Sequence, residues 1–173
     1  MTNHGGTYMN FRRRILTLVT AGLIIALAVA APGQSQDKKA AKKVMEGSWR
    51  VTVTPGPAPI PLPPSAEAIV TYIPGGGLIE SDNLAVPGSL AGTGQGAWEA
   101  TGPREFNITL TKILFTTQGL FQGSLRITES ITRDSNDTEY TGVGNMALLD
   151  PTGAVILIIP ATTTATRISA EAP

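Results

Sequence analysis

Alternating apolar and polar side chains, broken by short turns, are the feature that most restricts the fold of this chain. From Gly47 onward no run of ten residues has helical periodicity, and Thr, Val and Ile dominate between Gly, Pro, Asn and Asp residues that recur every 8 to 15 positions. This pattern is typical of an all-β sandwich or barrel. It predicts eight strands, at residues 48–54, 67–73, 78–86, 95–100, 105–116, 120–133, 138–149 and 154–169.

The turns predict how these strands are connected. Residues 74–77, 101–103, 118–119 and 150–153 are short and contain Gly or Pro, as in antiparallel hairpins. Eight consecutive antiparallel strands favour an up-and-down barrel, which has no exposed edge. Three glycines inside strands permit the sharp coiling of a small barrel, or mark simple bulges in a sandwich: Gly123, Gly142 and Gly144.

One strand, at residues 120–133, alternates clearly enough to predict its two faces. The residues predicted to face the core are Phe121, Gly123, Leu125, Ile127 and Ile131. The polar residues between them are predicted to face solvent, so the strand buries one side only.

The first 31 residues have the features of a helical export signal. Arg12, Arg13 and Arg14 precede an apolar run at residues 15–31, which ends in the small-x-small sequence Ala28-Val29-Ala30. An uncleaved membrane anchor is the alternative, because the run is near the shortest length that spans a bilayer. We therefore expect a signal peptide (1–31), a polar Lys-rich tail (32–46), a barrel domain (47–169) and a C-terminal tail (170–173), in a secreted or periplasmic protein that leaves the membrane after cleavage.

Composition excludes several functions once the signal is set aside. The remaining chain has neither Cys nor His, and its ten basic and thirteen acidic side chains give a formal charge of −3. A Cys nucleophile, a His general base, a disulfide and a Cys/His zinc or haem site are thereby excluded. A mildly acidic chain binds polyanions poorly, so we expect no nucleic-acid partner. No cofactor, metal site or catalytic residue is predicted.

Residues at the two ends of the barrel domain carry a family resemblance. Gly47-Ser48-Trp49 lies on the first strand and Arg167 lies near the end of the last. This pair resembles the calycin superfamily, which includes the lipocalins, in which a Gly-x-Trp motif closes the barrel base and a basic residue packs across the Trp. The chain also resembles small secreted bacterial lipocalin-like proteins of unassigned function and, more distantly, allene-oxide-cyclase-like barrels. The resemblance implies an eight-stranded calycin-like barrel, with Gly47, Trp49 and Arg167 in structural roles.

Two groups of residues are candidates for ligand contacts. Residues 54–64 contain six prolines, which predict a stiff polyproline II loop between the first two strands. In a lipocalin-like barrel this loop covers the mouth, either as a lid that presents Ile60 and Leu62 to a ligand or as a rigid spacer. Tyr72, Trp98 and Tyr140 are the predicted cavity liners, because each joins a polar atom to an apolar body.

Acidic residues give weaker signals. Glu80 and Asp82 share one face of a strand; paired carboxylates can act in acid–base catalysis, but an outward polar face is the prediction. Asp134, Asp137 and Glu139 cluster with Asn136 around a turn that lacks the Gly and the distal Glu of a calcium loop, so a solvated hairpin is expected. The glycine-rich loops at 75–77 and 92–96 do not precede a helix, which argues against phosphate binding.

Three functions remain open. The first is a secreted, non-catalytic barrel that binds a small apolar ligand, which requires an apolar-lined cavity of a few hundred cubic ångströms. The second is a cofactorless isomerase or cyclase, implied by the allene-oxide-cyclase-like resemblance and requiring inward carboxylates or tyrosines, with Glu80, Glu99, Tyr72 and Tyr140 as suspects. The third is a structural, oligomeric barrel with a filled interior and an apolar outer patch.

Overall fold

A computed structural model describes residues 44–169, so the predicted signal peptide, residues 32–43 of the tail and residues 170–173 lie outside the described part. The described chain is built from nine strands. They are β1 (Gly47–Pro55), β2 (Ala66–Ile73), β3 (Gly77–Asp82), β4 (Leu90–Ala91), β5 (Gly94–Ala100), β6 (Glu105–Phe115), β7 (Phe121–Arg133), β8 (Glu139–Leu149) and β9 (Val155–Arg167). Within residues 44–169, no helix is long and apolar enough to cross a membrane.

Eight of these strands form a closed antiparallel barrel. Each pairs with its neighbour along the chain in the order β1-β2-β3-β5-β6-β7-β8-β9, and β9 returns to pair with β1. The closing register places Trp49 opposite Arg167 and Pro55 opposite Ala161. The predicted all-β, eight-stranded, up-and-down barrel is therefore confirmed. The two-residue strand β4, which pairs with β6, was not predicted.

The predicted strand bounds differ most at the end of β3, which stops at Asp82 and not at residue 86. Beyond Asp82, hydrogen bonds to side chains take the place of the backbone pairing between strands. Asp82 Oδ1 accepts a hydrogen bond from the Leu84 amide at 3.2 Å, and Asn83 Oδ1 accepts one from the Glu67 amide at 2.8 Å. Such bonds offer the backbone an alternative to strand pairing.

The barrel core consists of two layers. The base layer surrounds the start of β1 and contains most of the aromatic residues. Its members are Met45, Trp49, Val51, Ala68, Val70, Tyr72, Leu78, Trp98, Ala100, Phe106, Ile108, Leu110, Ile131, Tyr140 and Ala165. The mouth layer lies at the opposite end and is aliphatic. Its buried members are Ala66, Leu84, Leu114, Leu125, Met146 and Ile159.

A bulge at the start of β7 corrects one predicted face. Leu114 pairs with Gly123 but Phe115 pairs with Phe121, so Gln122 is an extra residue in β7. Gly123 has φ +138°, a conformation that glycine adopts readily. Because the extra residue reverses the alternation, Phe121 is 55% exposed, and its predicted place in the core is wrong. Leu125 and Ile131 are buried as predicted, and Ile127 is half-buried.

Candidate functional site

The barrel interior holds ionisable side chains between its two apolar layers. Lys112 on β6 is 2% exposed, and its Nζ lies 2.5 Å from Asp82 Oδ1 and 3.2 Å from Glu80 Oε2. Burial, reinforced by the hydrogen bond and repulsion from Asp82, raises the pKa of Glu80 to about 7, against the lowering effect of Lys112. One ammonium group therefore forms ion pairs with two buried carboxyl groups.

A third carboxyl group faces the interior from β7. Glu129 is 8% exposed and accepts a hydrogen bond from the Thr163 hydroxyl on β9. Burial raises the pKa of Glu129 to about 7, and the bond from Thr163 acts in the opposite direction. The neighbouring strand leaves room for this side chain, since a methyl group at Gly142 would lie 1.8 Å from Glu129 Oε1. We call Glu80, Asp82, Lys112, Glu129 and Thr163 the interior polar cluster.

Two tyrosines join this cluster to the base layer. The hydroxyl groups of Tyr72 and Tyr140 lie 3.2 Å apart and share a hydrogen bond. Burial raises the pKa of both phenols, and the charge of Glu129 raises it further. Both tyrosines are therefore neutral hydrogen-bonding groups at physiological pH.

A small cavity lies beside the interior polar cluster. Its free volume is about 40 Å³, which is space for about three water molecules. Its polar lining comes from the three carboxyl groups together with Thr163, Tyr140 and Asn145, and its apolar lining includes Val53, Leu84, Leu110, Ile127 and Met146. The cavity of a few hundred cubic ångströms that the first hypothesis required is not present in the described barrel with the mouth covered as it is here.

The mouth is covered by residues 56–65, which we call the proline-rich lid. Pro57, Pro59 and Pro61 are exposed, whereas the alternate residues Ala58, Ile60 and Leu62 are half-buried and pack on the mouth layer. The lid is tied to β9 where it begins, by a hydrogen bond of 2.7 Å from the Gly56 amide to the Pro160 carbonyl. Beyond that bond, side-chain packing is what holds the described lid residues in place.

The predicted ligand contacts are thus distributed over both ends of the barrel. Tyr140 lines the cavity, whereas Tyr72 and Trp98 pack edge to face in the base layer at 5.8 Å and are not among the cavity-lining residues. Ile60 and Leu62 point into the mouth. Their roles in binding stay predictions.

Sequence reasoning missed Lys112, Glu129 and Thr163. The inward orientation of Glu129 could have been predicted, because alternate residues of a strand share one face and Glu129 falls two residues after Ile127 and two before Ile131. The predicted outward orientation of Glu80 and Asp82 is wrong, because Leu78 fixes the inward parity of β3 and leaves Ile79 45% exposed. Among the suspects of the enzyme hypothesis, Glu80, Tyr72 and Tyr140 face inward and Glu99 is exposed.

The base of the barrel is closed by contacts of Arg167. Its guanidinium carbon lies 5.0 Å from the centroid of the Trp49 ring, within the range of a cation–π interaction. It also donates hydrogen bonds to the carbonyl groups of Val44 and Glu46, while the Trp49 indole donates to the Met45 carbonyl at 3.0 Å. Gly47 lies against the guanidinium with φ +116°. These contacts join the ends of β1 and β9.

In the acidic turn after β7, backbone amides of the turn itself donate hydrogen bonds to the Asp134 carboxyl group. Asp134 accepts hydrogen bonds from the amides of Asn136, Thr138 and Glu139, and these bonds lower its pKa. Asp137 pairs with Arg133. No three acidic or His side chains among residues 44–169 are arranged to hold a metal ion. A groove of about 430 Å³ lies next to this turn, between residues of β1, β7, β8 and β9, and is open to solvent.

Comparisons with known proteins show the fold alone. No protein-family model matches the sequence, and no curated protein matches it significantly. The structure of EF1p2_mFAP2b bound to DFHBI is similar with a TM-score of 0.56 and 16% identity, over 76% of this chain and 99% of that chain. A redesigned β-barrel, b11L5F_LGL, has a TM-score of 0.48 and 16% identity, over 75% of this chain and 96% of that chain. The likeness to EF1p2_mFAP2b shows a shared fold.

Proposed function

We propose that this protein is an exported, non-catalytic barrel that binds one small molecule with an apolar body in its interior, under the proline-rich lid. The observation that carries the proposal is a cavity with polar groups on one side and an aliphatic mouth on the other. Binding sites for small molecules commonly combine a mainly apolar wall with a few oriented polar groups. The same architecture in EF1p2_mFAP2b is bound to DFHBI, which is compatible with this use of the fold.

The lid explains how a nearly filled barrel accommodates a ligand. Ile60 and Leu62 occupy the mouth without backbone hydrogen bonds to the barrel from their own residues, within the described part of the chain. A ligand that replaces these two side chains recovers the apolar contacts that the lid gives up. Displacing the lid side chains with a ligand therefore costs less free energy than separating two strands, which breaks a hydrogen-bonded ladder.

Shortening the two lid side chains tests this function. In the variant Ile60→Ala/Leu62→Ala, we expect the neutral dye N-phenyl-1-naphthylamine to bind about tenfold more tightly than in the wild type, because less apolar contact must be displaced. Fluorescence titration measures the affinity. The control is Ile69→Ala/Ile79→Ala, which shortens two exposed side chains on the outer surface. Equal dye affinity in the lid variant, the control and the wild type would contradict lid-gated binding.

A second candidate function is a cofactorless isomerase. It is favoured by two buried carboxyl groups, Glu80 and Glu129, whose pKa of about 7 suits proton transfer near neutral pH. The binding function is preferred because Lys112 already engages Glu80, and because the cavity beside Glu129 holds no more than a few water molecules until the lid moves.

A further inference from the structure

The charges that face the cavity are unbalanced. Glu80, Asp82 and Glu129 all line it, and no basic side chain in the described barrel does. Lys112 is not among the cavity-lining residues, and its ammonium group is ion-paired with Glu80 and Asp82. The other buried basic residue, Arg133, lies at the base, near the Phe106 ring and in an ion pair with Asp137. The cavity is therefore a site with an excess of negative groups.

Glu129 is the least compensated of the three carboxyl groups. The Thr163 hydroxyl is its one hydrogen-bond donor among the described residues. The elements packed around it bring Tyr72 and Tyr140, which are neutral, and the Gly142 and Gly144 backbone, which leaves space. A buried carboxylate without a cationic partner is unfavourable, whereas a paired and hydrogen-bonded one is tolerated.

Three ligand head groups differ sharply in this environment. A carboxylate would be repelled by the existing negative groups. A hydroxyl would donate a single hydrogen bond and leave the charge uncompensated. A primary ammonium donates up to three hydrogen bonds and supplies the missing positive charge. Its size is also close to that of the water molecules for which the cavity has room.

The apolar lining between Glu129 and the lid indicates the chemistry of the rest of the ligand. Its apolar lining includes Leu84 and Met146, which also belong to the mouth layer under Ile60 and Leu62. A ligand with its head at Glu129 therefore extends along an aliphatic path towards the lid. On the basis of the proposed function, we propose that the ligand is a primary alkylamine, with its ammonium group paired with Glu129 and its alkyl chain in the mouth layer.

Three eight-carbon probes test this class on the full chain. Isothermal titration calorimetry at pH 8 compares n-octylamine, n-octanol and n-octanoate, which share an alkyl body and differ in head group. We expect octylamine to bind at least about tenfold more tightly than octanol, and octanoate more weakly than either, because a buried charge-assisted hydrogen bond is stronger than a neutral one. Lowering the pH to 5 protonates Glu129 and should weaken octylamine binding by up to about 100-fold, with little effect on octanol.

A matched pair of substitutions locates the head group. Glu129→Gln keeps the shape and removes the charge, so octylamine affinity should fall by at least about tenfold and octanol affinity by much less, because the Gln amide oxygen still accepts the hydroxyl hydrogen bond. Glu99→Gln makes the same change on the exposed face of β5 and should have no effect. Circular dichroism checks that both variants fold.

The outcomes separate this inference from the function on which it rests. If octanol or octanoate binds as tightly as octylamine, the interior site exists but the amine class is wrong. If octylamine binds equally well to the Glu129→Gln variant, its head group does not lie at Glu129 and the assignment fails. If no probe binds the wild type or the Ile60→Ala/Leu62→Ala variant, the ligand-binding function itself fails.

Discussion

At the scale of single residues, the interior polar cluster is the feature that ordinary core packing does not explain. The side chains of three acidic residues and one lysine lie buried inside a small barrel. Buried ion pairs of this kind rarely add stability over apolar residues of similar volume. Their presence therefore points to a binding or chemical role for the barrel interior.

Residue parity shows where sequence reasoning succeeded and where it could not. In β7, Leu125, Ile127 and Ile131 set a clear inward face, and the same parity includes Glu129. In β3, Leu78 and Ile79 are both apolar and adjacent, so either parity is plausible from the sequence. The barrel resolves this by leaving Ile79 on the outer surface, where single apolar residues are tolerated.

Glu129 makes a prediction about stability and pH. Its pKa is raised to about 7 in the folded barrel, so the folded state holds this proton more tightly than the unfolded chain. The resulting stability is fully present below the unfolded pKa of about 4.5 and is lost as the pH rises through about 7. Between pH 5 and 8.5, we expect this group to lower the free energy of unfolding by about 2–3 kcal/mol.

Urea denaturation at these two pH values tests the effect. Glu129→Gln should lose this part of the pH dependence and be more stable than the wild type at pH 8.5, while Glu99→Gln should follow the wild type. If both variants show the wild-type pH dependence, Glu129 does not titrate in a buried environment.

At the scale of strands and loops, most of the architecture could be predicted. β-branched alternation and Gly/Pro turns locate eight strands to within a few residues of their observed bounds. A bulge at Gly123 was one of two alternatives that the sequence left open, and the structure decides for it through the pairing with β6. The two-residue strand β4 was not predicted, because it too depends on pairing with β6. The prediction that the proline-rich segment lies over the mouth agrees with its contacts, but what it packs against depends on residues far away in sequence.

The glycines of β8 give a prediction at this scale. A methyl group at Gly144 would lie 2.1 Å from the Thr128 carbonyl oxygen, which belongs to the backbone and cannot rotate away. Gly144→Ala should therefore lower the free energy of unfolding by about 1–3 kcal/mol through overpacking. Thermal or chemical denaturation measures the loss. Gly77→Ala is the control, since a methyl group there would meet nothing closer than 3.9 Å, and an equal effect of both substitutions would refute the close-approach explanation.

At the scale of the whole molecule, the barrel combines a firmly closed base with a mouth covered by side chains. Arg167, Trp49 and the β1–β9 ladder tie the chain ends together at the base. The lid closes the other end mainly through Ala58, Ile60 and Leu62. In the proposed function, a ligand therefore enters at the mouth and reaches the interior polar cluster from there.

The outer surface leaves room for association between copies. Val155, Ile156 and Ile158 on β9 are at least 47% exposed, as are Leu120 and Phe121 at the neighbouring hairpin of β6 and β7. The structural, oligomeric alternative uses this surface and needs no ligand. A single measurement of mass can therefore distinguish the two accounts.

Native mass spectrometry of the full chain, purified from its own host, tests the central claim most directly. We predict a population with one small molecule bound per chain, which is reduced in the Glu129→Gln variant and retained in Glu99→Gln. Chains of bare mass, whether single or assembled into oligomers, that also fail to take up n-octylamine or N-phenyl-1-naphthylamine would contradict a ligand-binding interior.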